Sequence, residues 1–110
     1  PGRQHFHPSA AKAWVSFDNA GTVVASYNIT SITDTGAGDW TVNIATDFSG
    51  ADYCGVCSGG DHATTGGKVY SCAAQAAGTF QIRGRDNGDD SLSDPDTVNR
   101  IFAAFFGDQA

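Results

Sequence analysis

Residues 31–44 read Ser-Ile-Thr-Asp-Thr-Gly-Ala-Gly-Asp-Trp-Thr-Val-Asn-Ile, and no other segment narrows the fold as far. Trp40, Val42 and Ile44 alternate with Thr41 and Asn43. In an extended chain this puts the apolar residues on one face and the polar ones on the other. Gly36 and Gly38 supply the positive-φ positions of a tight turn. The segment therefore predicts strand, turn and strand, which is antiparallel β structure with one buried face.

The rest of the composition agrees. All acidic residues are Asp, Leu92 is the one leucine, Lys12 and Lys68 are the two lysines, and Met is absent. The missing types are strong helix formers. What remains is Gly, Thr, Val, Ile, Ser, Asn and aromatics, which suit strands and turns. At 110 residues the chain is one domain, and a monomer of this size buries only about two-thirds of its unfolded surface. A first residue other than Met suggests a processed product or the tail of something longer. The net charge of −6 argues against nucleic acid or an anionic membrane, which both call for clustered Lys and Arg. No apolar run approaches the roughly 20 residues of a transmembrane helix, and no signal peptide is legible. Three cysteines make an odd count. One disulfide plus a free thiol is one arrangement; three reduced, half-buried thiols fit better with folding in a reducing cytoplasm.

Residues 1–10 read as a linker segment and 11–110 as the domain. Lys12–Phe17 alternates, with Ala13, Val15 and Phe17 opposite Lys12, Trp14 and Ser16. Strands are expected over 23–29, 31–34, 39–46, 53–58, 68–72, 79–85 and 97–106, with 73–78 as a loop. In 53–58, Tyr53, Gly55 and Cys57 oppose Cys54 and Val56. Segments 59–67 and 86–96 are irregular loops, the second acidic. The last strand is apolar on both faces, Ile101, Ala103 and Phe105 against Phe102, Ala104 and Phe106, so both faces need a cover. One cover is the opposite sheet; the economical second cover is another copy of the chain. Short strands separated by Gly, Asn and Asp turns indicate an all-β antiparallel sandwich, jelly-roll-like, with no repeat.

Ala11-Lys12-Ala13-Trp14-Val15-Ser16-Phe17 resembles the opening strand of the head domain found at the C-terminal ends of tailed-phage fibre proteins and related prophage proteins. Tyr27–Asp34 and Gly36–Asn43 are similar to that family's central hairpin. Tyr53 stands where the family has an aromatic, and Phe106-Gly107-Asp108 resembles its terminal signature. The resemblance spans about residues 6–109. It implies a homotrimeric β-sandwich head on a virion, assembled in the host cytoplasm, that attaches to a host-surface polysaccharide or protein without catalysing a reaction. Capsid decoration by a head fibre is the alternative, and a bacterial adhesin or carbohydrate-binding module the third reading. Cys54, Cys57, Cys72 and the two loops depart from the pattern, and no ligand-contacting residue transfers.

Candidate chemistry is sparse. Cys54-Gly55-Val56-Cys57 is a C-x-x-C in a strand pattern, so its thiols face opposite ways. A redox pair normally opens a helix, and zinc needs further ligands, with only Cys72 and His62 near in sequence. The thiols read as small core residues. His5 and His7, two apart, point the same way in an extended segment. Three pairs around a trimer axis would offer octahedral ligation to a transition metal; the simpler reading is a solvated linker. Asp86, Asn87, Asp89 and Asp90, with Asp94 and Asp96, gather hard oxygens without EF-hand spacing. Calcium is weighed there against a solvated turn. No G-x-S-x-G elbow and no phosphate loop appears, and nothing singles out a carboxylate pair. Trp14, Trp40, Tyr27, Tyr53 and Tyr70 read as packing residues, with Tyr70 the best candidate to stack on a sugar ring. The expectation is a binding protein whose ligand contacts come from the loops, through His62, Thr64, Thr65, Tyr70, Asp86, Asn87, Asp89 and Asp90. Ile101, Phe102, Phe105 and Phe106 are expected to hold core and trimer together.

Overall fold

A computed structural model describes residues 10–59, 68–86 and 100–108. The strands are β1 (Ala13–Phe17), β2 (Val23–Tyr27), β3 (Ile29–Gly36), β4 (Asp39–Ile44), β5 (Cys54–Gly59), β6 (Lys68–Ala76), β7 (Thr79–Asp86) and β8 (Ile101–Phe106). They form two four-stranded antiparallel sheets. Sheet A has the order β2-β1-β8-β5 and sheet B the order β3-β4-β7-β6. The protein is the antiparallel β-sandwich its sequence predicts.

Alternation explains the core. Ala13, Val15 and Phe17 of β1 are buried, as are Trp40, Val42 and Ile44 of β4, Phe80 and Ile82 of β7, and Ile101, Ala103 and Phe105 of β8. These are the inward faces of the four central strands, and their side chains interdigitate between the sheets. Phe80 and Phe105 meet edge-on across the gap, with ring centroids 4.8 Å apart at 64°. Tyr53 stacks on Phe48 at 4.1 Å and meets Phe105 edge-on at 6.0 Å. Its hydroxyl donates to the carbonyls of Ala76 and Thr79. Trp40 packs edge-on against Phe17, and its Nε1 donates to the Asn19 carbonyl at 3.1 Å.

The β3–β4 hairpin has the two-residue loop Ala37-Gly38. Gly38 sits at φ 65°, where a Cβ is disfavoured, and Asp34 Oδ1 accepts from the Gly36 N–H. Among the shifts from the expected boundaries, β4 ends at Ile44 and the last strand begins only at Ile101, with Arg100 outside it, and two others change the course of the chain. The strand expected over 23–29 breaks at Asn28, which lies in the left-handed region at φ 59°, a conformation Asn tolerates. Here the chain passes from sheet A to sheet B. Asn28 Oδ1 accepts from the Thr46 N–H at 2.8 Å, and Nδ2 donates to the carbonyls of Lys12 and Thr46. The Asn28 carbonyl accepts from the Ala45 N–H. One side chain thus ties the crossing to the segments flanking β1 and β4.

The second shift is at 73–78, expected as a loop. β6 continues through Ala76, with a bulge between Cys72 and Ala74, and only Ala77-Gly78 turn into β7. Alanines carry little strand signal of their own. The extension is held by the ladder to β7 and by Gln75, whose Nε2 donates to the carbonyls of Ala51 and Tyr53.

Two outcomes follow from these contacts. Asn28→Ala loses three side-chain hydrogen bonds and strains the corner, so urea unfolding should show a loss of about 2–3 kcal/mol; Asn28→Gly, which restores the backbone freedom, should lose less. Burial pushes the Tyr53 hydroxyl from its ordinary value of 10.0 up to about 12, with the Cys72 and Asp47 negative charges adding to the effect. The folded state therefore favours the neutral phenol. Its contribution to stability is complete below pH 10 and is lost as pH rises through 12. Unfolding measured against pH should show that alkaline decline, and Tyr53→Phe should remove it.

Candidate functional site

The two outer faces of the sandwich differ in chemistry. On sheet B, the outward residues of β3, β4 and β7 are mostly Thr, Ser, Asn, Gln, Asp and Arg. Several satisfy one another: Asn43 Nδ2 donates to Ser31 Oγ and Thr33 Oγ1, and Gln81 Nε2 donates to Asp39 Oδ1; Arg83 Nε lies 3.8 Å from Asp39 Oδ2, an ion pair without a hydrogen bond at that nitrogen. Such a face is at ease in water.

Sheet A presents a different outer face. The ladder aligns Tyr27, Trp14, Ala104 and Val56 in one row across all four strands. The next row is Ala25, Ser16, Phe102 and Ser58, and Phe106 stands opposite Cys54. No charged side chain lies in these rows. Trp14 is 41% exposed, Val56 52% and Phe102 46%. Trp14, Val56 and Phe102 line a shallow depression of about 380 Å³. A contiguous uncharged patch of this kind marks an interaction surface more often than a bare solvent face.

Pairing also gives the sandwich two distinct ends. At one end, Gly59 at the finish of β5 pairs with Ile101 at the start of β8, and Lys68 at the start of β6 pairs with Asp86 at the finish of β7. Both irregular segments, 60–67 and 87–99, therefore spring from this end. At the opposite end Ala13 pairs with Phe105, so the first and last described residues lie there, away from the two segments. That end also carries a polar hollow of about 330 Å³ lined by Ser49, Gly50, Asp52, Tyr53 and Asp108, with the Ser49 N–H donating to the Asp108 carbonyl.

Several expected site residues are corrected. Ile101 and Phe105 are fully buried between the sheets, so they belong to the core and cannot touch a second copy. Phe102 and Phe106 face outward, as alternation requires. Tyr70 turns inward, opposite Gly84 in the ladder, and packs half-buried on the core, with its ring tilted against Trp40 at 6.5 Å. Cys54 is exposed rather than a core residue, while Cys57, on the other side of the strand, is half-buried. Trp14 and Tyr27, read as packing residues, are on the open face. His5, His7, His62, Thr64, Thr65, Asn87, Asp89 and Asp90 lie outside the described residues. Asp86 closes β7, and its side chain is likewise outside the description.

Burial pushes the Cys57 thiol up, and negative charge on Cys72 pushes it further. Burial also raises the Cys72 thiol, partly offset by a backbone hydrogen bond from Ala74. Raised thiols are the reverse of an activated nucleophile. Among the described residues no group of three His, Cys, Asp or Glu is placed to hold a metal ion. Trp14, Tyr27 and Val56 are the surface residues that sequence reasoning missed. Their alternation was legible, but not whether the outward face would be covered.

Comparison of the chain with family models, curated proteins and solved structures finds no match.

The two tryptophans test the placement of this face. In dilute protein, acrylamide should quench Trp14 and spare Trp40. Trp14→Phe should therefore abolish the quenchable emission, and its persistence in that variant would contradict the burial of Trp40.

Proposed function

We propose that this chain is a non-enzymatic, homotrimeric β-sandwich head of a phage fibre, which attaches the virion to a bacterial surface. The resemblance carried by residues 11–17, 27–43, Tyr53 and 106–108 motivates the reading. The observation that supports it best is the polarity of the sandwich. The two irregular segments leave from one end, and the first and last described residues from the other. A head joined to a shaft through residues 1–10 would hold both segments away from the shaft, toward a host. Recognition is commonly placed on loops carried by a rigid scaffold. Segments 60–67 and 86–96, with His62, Thr64, Thr65, Asp86, Asn87, Asp89 and Asp90, are the proposed contact surface.

The trimer contact is assigned to the outer face of sheet A, through Trp14, Tyr27, Val56, Phe102 and Phe106. In a trimer the same uncharged apolar rows of all three copies would turn toward the three-fold axis, so one association would cover all three faces. The net charge of −6 does not oppose it there, because none of that charge falls on these rows. Three heads side by side would also convert weak single-site binding into avidity.

Light scattering and sedimentation should give a trimer, and Val56→Asp combined with Phe102→Asp should give a folded monomer, since both side chains are exposed. A wild-type monomer at micromolar concentration would sink the assignment of the face. For the attachment role, the isolated trimer should compete with virus for adsorption to host cells. The monomeric variant should compete at least tenfold less well, the low end of an avidity effect. Failure of the wild-type trimer to compete would overturn the receptor reading and leave capsid decoration in its place.

A further inference from the structure

β5 and β6 are edge strands of opposite sheets, joined in the sequence by residues 60–67. At this margin the sandwich is pinched. Stacked sheets normally lie about 10 Å apart, yet Cα atoms of β5 and β6 come within 8 Å of each other. The glycines of β5 make this approach feasible. A Cβ on Gly55 would fall 2.3 Å from the Phe80 ring, and one on Gly59 would fall 2.8 Å from the Tyr70 ring. Either would force the facing ring out of its seat or the strands apart.

Between those two glycines stands Cys57, facing inward with them and packed on the core. On β6, Tyr70 and Cys72 pair with Gly84 and Ile82, both buried, so they face inward as well. The two strands run past each other in opposite senses. Gly59 meets Tyr70 at one level. Further along, the Tyr53 carbonyl accepts from Gln75 Nε2 at 2.9 Å. The level between these contacts is occupied by Cys57 on one strand and Cys72 on the other. Cys72 is exposed to solvent, with its Sγ 3.7 Å from Gln75 Oε1, so a dissolved oxidant can reach it. Cys54 points out through the far side of sheet A, opposite Phe106, and is excluded from the pair.

We propose that Cys57 and Cys72 form a disulfide that staples the edge of sheet A to the edge of sheet B at the base of the 60–67 connection. Cys72 and Cys57 are the modification site, and a small disulfide such as oxidised glutathione is the oxidant. The Cys72 thiolate attacks one glutathione sulfur, the glutathione S–S bond breaks, and one glutathione leaves as thiolate. The Cys57 thiolate then attacks Cys72 Sγ and displaces the second glutathione. Two protein thiols are oxidised to one disulfide, one glutathione disulfide is reduced to two thiols, and the two protons released from the protein end on glutathione. The span needs Cα atoms about 4.4–6.8 Å apart, within reach of strands already this close.

The test uses Cys54→Ser, an exposed substitution, in the folded chain treated with excess oxidised glutathione. Trypsin cuts after Lys12, Lys68 and Arg83, so peptides 13–68 and 69–83 remain joined only if Cys57 is bonded to Cys72. The joined, monomeric product is expected, two hydrogens lighter than the reduced chain, with a melting temperature higher by roughly 10 °C. Oxidation of the folded chain should also outpace that in concentrated guanidinium by about tenfold or more. In wild-type protein under the same treatment the Cys57–Cys72 link should form as well, with Cys54, exposed on the far side of sheet A, bonded to neither of them. Two free thiols persisting in the folded variant, a stable glutathione adduct of that variant, intermolecular dimers alone, or Cys54 bonded to Cys57 or Cys72 in the wild type would overturn the proposal.

Discussion

The contact between Phe80 and Phe105 holds the two sheets as one body. Each ring comes from a central strand of its sheet, β7 in sheet B and β8 in sheet A, and their edge-on meeting sits mid-core. Everything around it is arranged to keep that meeting dry. Tyr53 and Phe48 close one side as a stacked pair, and Phe17 and Trp40 fill the other. With a single leucine, Leu92, and no Met, the chain fills much of this thin core with Phe, Trp and Tyr, whose geometry is specific, beside Ile44, Ile82 and Ile101. The same demand explains Gly55, since Phe80 occupies the space a Cβ would take there.

Fixing that core decides the character of the two outer faces. Once alternation sends Val15, Phe17, Ile101 and Phe105 inward, Trp14, Phe102 and Phe106 must go outward. Sheet B resolves its outward positions with Ser31, Thr33, Asn43, Gln81 and Asp39 in side-chain hydrogen bonds and with an Arg83–Asp39 ion pair. Sheet A does not, and its rows of Tyr27, Trp14, Ala104 and Val56 are suited to meeting another apolar surface. The sandwich is therefore amphipathic as a whole body, and it has a direction: Gly59, Lys68, Asp86 and Ile101 lie at one end and the first and last described residues at the other.

Legibility in the sequence followed signal strength. β4 and β7 were readable because each alternates a large apolar residue with a polar or small one over several positions, β1 because Ala13, Val15 and Phe17 recur at every second position, and β8 because it is a short continuous apolar run. β6 was half-read: Ala73, Ala74 and Ala76 have no strong preference, and the strand exists there because β7 and Gln75 hold it. The corner at Asn28 was hidden inside an apparently continuous strand, since only the three-dimensional neighbours Lys12 and Thr46 reveal what its amide does. Among the site residues, the doubly apolar last strand was recognised, but Ile101 and Phe105 were assigned to an interface that their own core claims. The inward setting of Tyr70 was not legible for a related reason: nothing in its local sequence says that Gly59 leaves it room there.

The sequence by itself determined the class of this protein, an antiparallel β fold with alternating strands and tight glycine turns, because side-chain alternation and turn chemistry are local properties. It also determined that the last strand would be apolar on both sides. Tertiary structure alone decided which of those sides is core and which is surface, that both irregular segments share one end, and that Cys57 and Cys72 stand at the same level of facing edge strands. These are relations between residues distant in the chain. They depend on strand order and sheet packing, which the alternation of any single strand leaves undetermined.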